Sequence, residues 1–148
     1  MATATQVVPF AGSRASVPLP EAFRVSTTDD GLVATFGADS DHMVEISLLG
    51  ALPKSEGPKA QAIGFIQSQG KKKGAQVSSD GERAVFSEPG AQHQRHGKTY
   101  QSMHWQIGVG NCIFTMTLTA PLPMSKELDE FLGEPLNAIV NGLACSAP

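Results

Sequence analysis

The sequence predicts an α+β domain: an antiparallel β-sheet packed against two helices. Three observations carry that prediction. Residues 98–120 alternate as a β-hairpin, with Met103, Trp105, Ile107 and Val109 on one face and Ser102, His104 and Gln106 on the other. Its return limb puts Cys112, Phe114, Met116 and Leu118 against the core and Thr115, Thr117 and Thr119 toward water. The extended runs elsewhere are joined mostly by hairpin-length loops, and the closing segment carries apolar residues at helical spacing, so strands and helices are segregated along the chain.

In chain order, residues 1–15 read as a flexible N-terminal arm and 16–148 as the single folded domain, a length that suits one core. Val7, Val8 and Phe10 are the early strand contacts, and Pro18-Leu19-Pro20 sets extended edge backbone before Phe23 and Val25. Thr28-Asp29-Asp30-Gly31 is a turn. Two β-rich runs, 32–36 and 43–49, flank a polar loop and form the central strands. Gly57-Pro58 opens a helix through about Gln69, with Ala62, Ile63 and Ile66 as its buried stripe and Gly70 closing it. A strand follows Asp80-Gly81 over 83–86, and a polar loop over 88–97 leads to the hairpin, whose turn is Gly108-Val109-Gly110-Asn111. Ser125 then caps the closing helix, with Glu127, Asp129 and Glu130 suited to the positive end of its dipole. Leu128, Phe131, Leu132, Leu136, Ile139, Val140 and Leu143 make its broad apolar face, and Gly133 and Pro135 predict a kink or two abutting segments.

Composition excludes several classes of function. Apolar residues make up 41% and charged residues 17%, which rules out disorder throughout. A formal charge of -3 supplies no general field for nucleic acid or an anionic membrane. No run approaches the ~18 apolar residues of a membrane span, and the N-terminus lacks a signal-peptide layout. The expectation is a cytoplasmic chain, or a periplasmic one if a signal has been removed and its cysteines are bridged. Lys71-Lys72-Lys73 suits the negative end of the preceding helix better than a phosphate contact, having neither arginines nor aromatics beside it.

No catalytic motif stands out, and no cofactor or metal is expected. Asp39 and Asp41 lack the glycine and distal glutamate of a calcium loop, and Gly108-x-Gly110 lies between strands instead of opening a helix. No serine sits in a nucleophile elbow, and neither cysteine has a histidine nearby in sequence. Imidazoles concentrate at His93, His96 and, across the loop, His104. Zinc would need three or four ligands in tetrahedral reach, whereas Gln92, Gln94, Arg95 and Lys98 give this segment the look of a solvated loop. His93, Arg95 and His96 are the candidate partner-binding residues. Trp105, in phase with Met103 and Ile107, is a core anchor.

Together, Val17-Pro18-Leu19-Pro20 leading to Phe23, the helix after Pro58, the Gly97-Lys98 approach to the strand holding Trp105, the run 114–119 and the closing helix resemble the Mog1/PsbP-like superfamily, especially its bacterial DcrB-like branch. The resemblance covers most of the chain after about Ser16 and implies architecture only, because the superfamily has no shared active site to carry over. It implies a non-enzymatic protein-binding module, such as an adaptor, chaperone or immunity protein of a bacterial secretion system with an effector-like or toxin-like partner. The alternatives are a small-ligand carrier or enzyme using a cleft between sheet and helices, and a structural accessory subunit whose 115–119 face is covered by another chain.

Cys112 and Cys145 are the two cysteines. The strand from Cys112 runs ~26 Å and the closing helix returns by ~25 Å, so a helix antiparallel to the strand brings Cys145 level with Cys112. A disulfide is geometrically open to them, and two unrelated buried thiols are the alternative.

Overall fold

The computed structural model describes residues 5–12, 14–37, 41–51, 61–79, 83–110 and 112–145. A seven-stranded antiparallel sheet runs in the order β3 (Arg24–Thr27), β4 (Gly31–Phe36), β5 (His42–Ala51), β9 (Cys112–Pro121), β8 (Lys98–Val109), β7 (Arg83–Arg95), β6 (Ser78–Ser79). A second, three-stranded sheet is built from β1 (Thr5–Phe10), β2 (Ala15–Pro20) and β10 (Ala144–Cys145). Among the described residues three helices accompany the sheets: α1 (Gln61–Lys72), α2 (Lys126–Phe131) and α3 (Glu134–Gly142).

The hairpin of β8 and β9 sits inside the sheet, with Val109 opposite Cys112 and Tyr100 opposite Pro121. On the core face its alternation follows the sequence reading, with Trp105, Ile107, Cys112, Phe114, Met116 and Leu118 buried, whereas Thr119, expected toward water, is buried too and bonds Ser102. They pack with Val17 and Leu19 of β2, Leu32 and Ala34 of β4, Val44 and Ile46 of β5, Leu128 and Phe131 of α2, and Ile139 and Leu143 beside α3. The small sheet and the closing helices therefore cover one face of the large sheet. On the other face α1 packs Ala62 and Ile66 on Ala84, Phe86 and Ile113. Beyond α1 this face is polar, and its side chains bond one another: Ser102 with Thr119 (3.3 Å), His104 Nδ1 with Thr117 Oγ1 (2.9 Å), and Thr115 Oγ1 donating to Gln106 Oε1 (3.2 Å).

The structure departs from the sequence reading in four places. Thr5–Phe10, inside the segment expected as a flexible arm, pairs along its whole length with β2, and Phe10 is buried. Alternation of Ala15, Val17 and Leu19 into the core gives this Pro-containing hairpin its anchor, and it forms a separate sheet with β10 instead of an edge of the large one. The expected loop 88–97 is strand, since β7 continues to Arg95 with a bulge between Pro89 and Gln92. Helix α1 runs through Gly70, which packs against Val77 and Phe86. The helix ends instead at Gly74 (φ 70°), where the Gly74 and Ala75 amides return to the Lys71 and Gly70 carbonyls in a Schellman arrangement. That leaves Lys71 and Lys72 in the last helical turn. The expected start of α1 at Gly57-Pro58, the Asp80-Gly81 turn and Asp39 lie outside the described residues.

The closing segment is two abutting helices, so three helices pack where two were expected. Ser125 Oγ accepts the Leu128 amide at 3.0 Å and caps α2, and Pro135 stands in the first turn of α3, where its missing amide costs nothing. Cys112 and Cys145 meet as a disulfide, with their Cα atoms 6.4 Å apart.

Candidate functional site

Two features gather side chains suited to recognition, and both lie at the end of the large sheet away from the β8–β9 turn. The first is the tip of the β7–β8 hairpin. Arg95 pairs with Lys98, leaving His96 and Gly97 as a two-residue turn with φ of 54° and 77°. Positive φ at both central positions defines the type I′ turn that matches the twist of the strands. Glycine adopts it freely, and histidine is among the few other residues that enter this region.

Polar side chains hold the arms together. Gln92 Nε2 donates to Gln101 Oε1 at 2.9 Å, Gln101 Nε2 donates to the Gly90 carbonyl at 2.9 Å, and Gln94 Nε2 donates to Thr99 Oγ1 at 3.4 Å. Upon this ladder His93 stacks on its cross-strand partner Tyr100, with centroids 5.8 Å apart and planes 14° apart. The Arg95 guanidinium lies 5.8 Å from the Tyr100 centroid, within cation–π range. Of the three residues singled out by sequence, His93 and Arg95 thus converge on one ring, while His96 stands in the turn. His104 is on the polar sheet face with Thr117, so the imidazoles are not gathered. Among the described residues, no group of three or more His, Cys, Asp or Glu is placed to hold a metal ion. Tyr100 was missed from sequence. Its signal was its position opposite His93, which appears only once 88–97 is aligned as a strand.

The second feature is a pocket of about 260 Å³ where α2 meets the ends of β2 and β4. Phe23, Phe36 and Phe131 supply its aromatic wall, with centroids 4.5 Å apart for Phe23–Phe36, 5.0 Å for Phe36–Phe131 and 5.9 Å for Phe23–Phe131. Glu127 and Glu130, exposed and one helical turn apart on α2, line the same pocket. Behind it, buried His42 stacks on Phe36 at 4.8 Å and bonds through Nε2 to Ser125 Oγ at 2.8 Å, while its Nδ1 has no hydrogen-bond partner. Nδ1 is pressed against Gly37, itself part of the pocket wall, where any Cβ would collide with the imidazole. An ion pair between Lys98 and Asp41 (3.6 Å) links the hairpin tip to the segment just before His42.

No protein-family model matches the chain, and no curated protein matches it. Solved structures do. A Bacteroides thetaiotaomicron protein superposes with a TM-score of 0.66 at 17% identity over 99% of this chain. The chain spans 50% of that protein's length. The Saccharomyces cerevisiae Ran-binding protein Mog1p superposes with a TM-score of 0.53 at 11% identity, covering 97% of this chain and 96% of that one. The PsbP protein of the cyanobacterium Synechocystis is also similar, with a TM-score of 0.42 at 10% identity, covering 98% and 94%. The architecture is thus an α+β fold shared with Mog1p, as the sequence resemblance implied. No helix among the described residues is long and apolar enough to cross a membrane.

Proposed function

We propose that this chain is a non-enzymatic protein-binding module that meets its partner with the tip of the β7–β8 hairpin, as an adaptor, chaperone or immunity protein of a bacterial secretion system. The observation that carries the reading is the His93–Tyr100–Arg95 stack. Arginine and tyrosine are the side chains most often found to dominate binding energy at interfaces, and here both are held before any partner arrives. The cross-strand ladder beneath them removes part of the ordering cost of association. Yeast Mog1p, which shares the fold, is described as Ran-binding, so the scaffold serves protein recognition in at least that setting. The Cys112–Cys145 pairing favours an oxidising compartment for this work, the periplasm before the cytoplasm.

The test is affinity capture from native lysate with the wild-type chain and with a Tyr100→Ala, Arg95→Ala variant. The expected result is a stoichiometric protein partner whose affinity falls by roughly 30-fold or more in the variant, the scale of a hot-spot loss, with unchanged thermal stability. Equal capture by both chains would remove the hairpin tip from the reading. No partner at all, together with turnover in an unbiased hydrolase screen, would overturn the whole of it.

A further inference from the structure

We propose that the pocket beside α2 is a binding site for an organic cation, an alkylated ammonium group, seated against the apolar wall of Phe23, Phe36 and Phe131 with its charge toward the carboxylates of Glu127 and Glu130. The shape and the charge point the same way. The three rings stack on one another, and the apolar wall they make buries the alkyl groups of the ligand. Two carboxylates on one side of α2 supply the opposite charge, and among the described residues neither Glu127 nor Glu130 has an ion-pair partner. The helix dipole accounts for Glu127 and Asp129 in the first turn of α2, whereas Glu130, expected there from the sequence, falls past that turn and lines the pocket with Glu127.

Other ligand classes fit less well. A bare divalent ion needs a shell of six or more oxygens, and phenyl rings cannot complete it. An anion would meet two like charges, and a neutral apolar ligand would leave the carboxylates without a role. The unpartnered Nδ1 of His42, behind the Gly37 wall, is a second polar position that packing alone leaves unused. A methylated or free ammonium reaches such a pocket from two sources, a small free amine or a lysine side chain presented by a partner protein. The site stands on its own geometry and does not depend on what the hairpin tip binds.

The test titrates the full chain, followed by NMR, with choline and with its neutral isostere in which carbon replaces the nitrogen. A parallel arm uses a short glycine-rich peptide carrying one trimethyllysine. Choline or the peptide should give saturable shifts centred on Gly37, Glu127 and Glu130, with the isostere roughly tenfold weaker. The paired variant Glu127→Gln, Glu130→Gln, on exposed positions, should weaken binding by several-fold with the melting temperature held, and Phe23→Leu, which loses the stack on Phe36, should weaken it with a small fall in melting temperature. Saturation by choline alone supports a free amine, and saturation by the peptide supports a partner's side chain. Equal binding of the isostere, unchanged binding in the glutamine variant, or no saturable shift from either cation would overturn the proposal.

Discussion

Truncating Phe131 to alanine tests the core and the pocket wall at once. The side chain is 2% exposed and stacks on Phe36 at 5.0 Å and on Phe23 at 5.9 Å. Removing the ring returns on the order of 150 Å² of apolar burial, which at ~25 cal/mol per Å² is about 4 kcal/mol. Two aromatic contacts are lost as well, each worth ~0.5–1.5 kcal/mol beyond area. Against these, the residue borders a pocket, so neighbours and water can occupy the vacated space more readily than in a sealed core. The expected destabilisation is therefore about 3–4 kcal/mol, the lower part of the usual range for phenylalanine in a core. In a domain of this size that corresponds to a fall of roughly 6–16 °C in melting temperature.

Urea unfolding followed by fluorescence measures the effect directly, since Trp105 is the sole tryptophan and lies buried in β8. The m-value should stay constant while the midpoint falls. Phe131→Leu, which keeps most of the apolar volume, should cost about 1–2 kcal/mol. A loss below about 1 kcal/mol for the alanine variant, at constant m-value, would show that α2 is not anchored through this ring and would undo the assignment of the aromatic wall.

Three further outcomes are expected. Gly108→Ala should destabilise by about 1–3 kcal/mol, because its Cβ would stand 2.7 Å from the Ala62 carbonyl oxygen, and hydrogen exchange should quicken first in α1; a neutral result would mean that α1 is not seated there. Changing Lys71, Lys72 and Lys73 to glutamine should leave partner capture intact and cost no more than about 1 kcal/mol in a melt, since Lys71 and Lys72 end a helix and Lys73 pairs with Glu88 at the surface; a large fall in affinity would move these lysines into recognition. Changing both Cys112 and Cys145 to alanine should cost about 3–4 kcal/mol by the chain-entropy relation for a separation of 33, and thiol counting on unreduced protein from its native compartment should find no free thiol. Two free thiols there would end the argument for an oxidising compartment.

What was legible in the sequence was whatever has one wet face and one dry face. The main-core face of the β8–β9 hairpin and of the closing helices alternates or recurs cleanly and could be named from periodicity alone, whereas the burial of Ile113 under α1 on the other face breaks the alternation and was not read. The outer half of β7 buries neither side. Its residues are held by pairing with β8 and by glutamine ladders, a cause that composition does not register, so it read as loop. Gly70 read as a helix stop because glycine usually is one, yet here it clears room for Val77 and Phe86, and the true stop is Gly74. The pocket was hidden for a different reason. Phe23, Phe36 and Phe131 come from three distant segments, each sufficiently explained as core, and only the superposition of β3–β4 on α2 turns them into a wall.

The two ends of the large sheet are built differently, and the difference bears on recognition. At the β8–β9 turn, the Ala62 amide of α1 donates to the Gly110 carbonyl, and the Cys112–Cys145 link ties β9 to β10 and so to the small sheet. That end is fastened by covalent and backbone bonds. At the opposite end the Leu122 amide donates to the Thr99 carbonyl at 2.8 Å, and beside that backbone bond the links are made by side chains: Lys98 with Asp41, and His42 with Ser125. The ion pair, made by a 58% exposed lysine, is worth about 1 kcal/mol or less and is screened by salt. The hairpin tip can therefore shift against the segment before His42 at small cost, while Phe131 holds α2 on Phe36 and the sheet keeps its register through β5, β9 and β8. With the sheet and α2 both held, any adjustment at this end is confined to the hairpin tip and its Tyr100 stack, and the core stays unmoved.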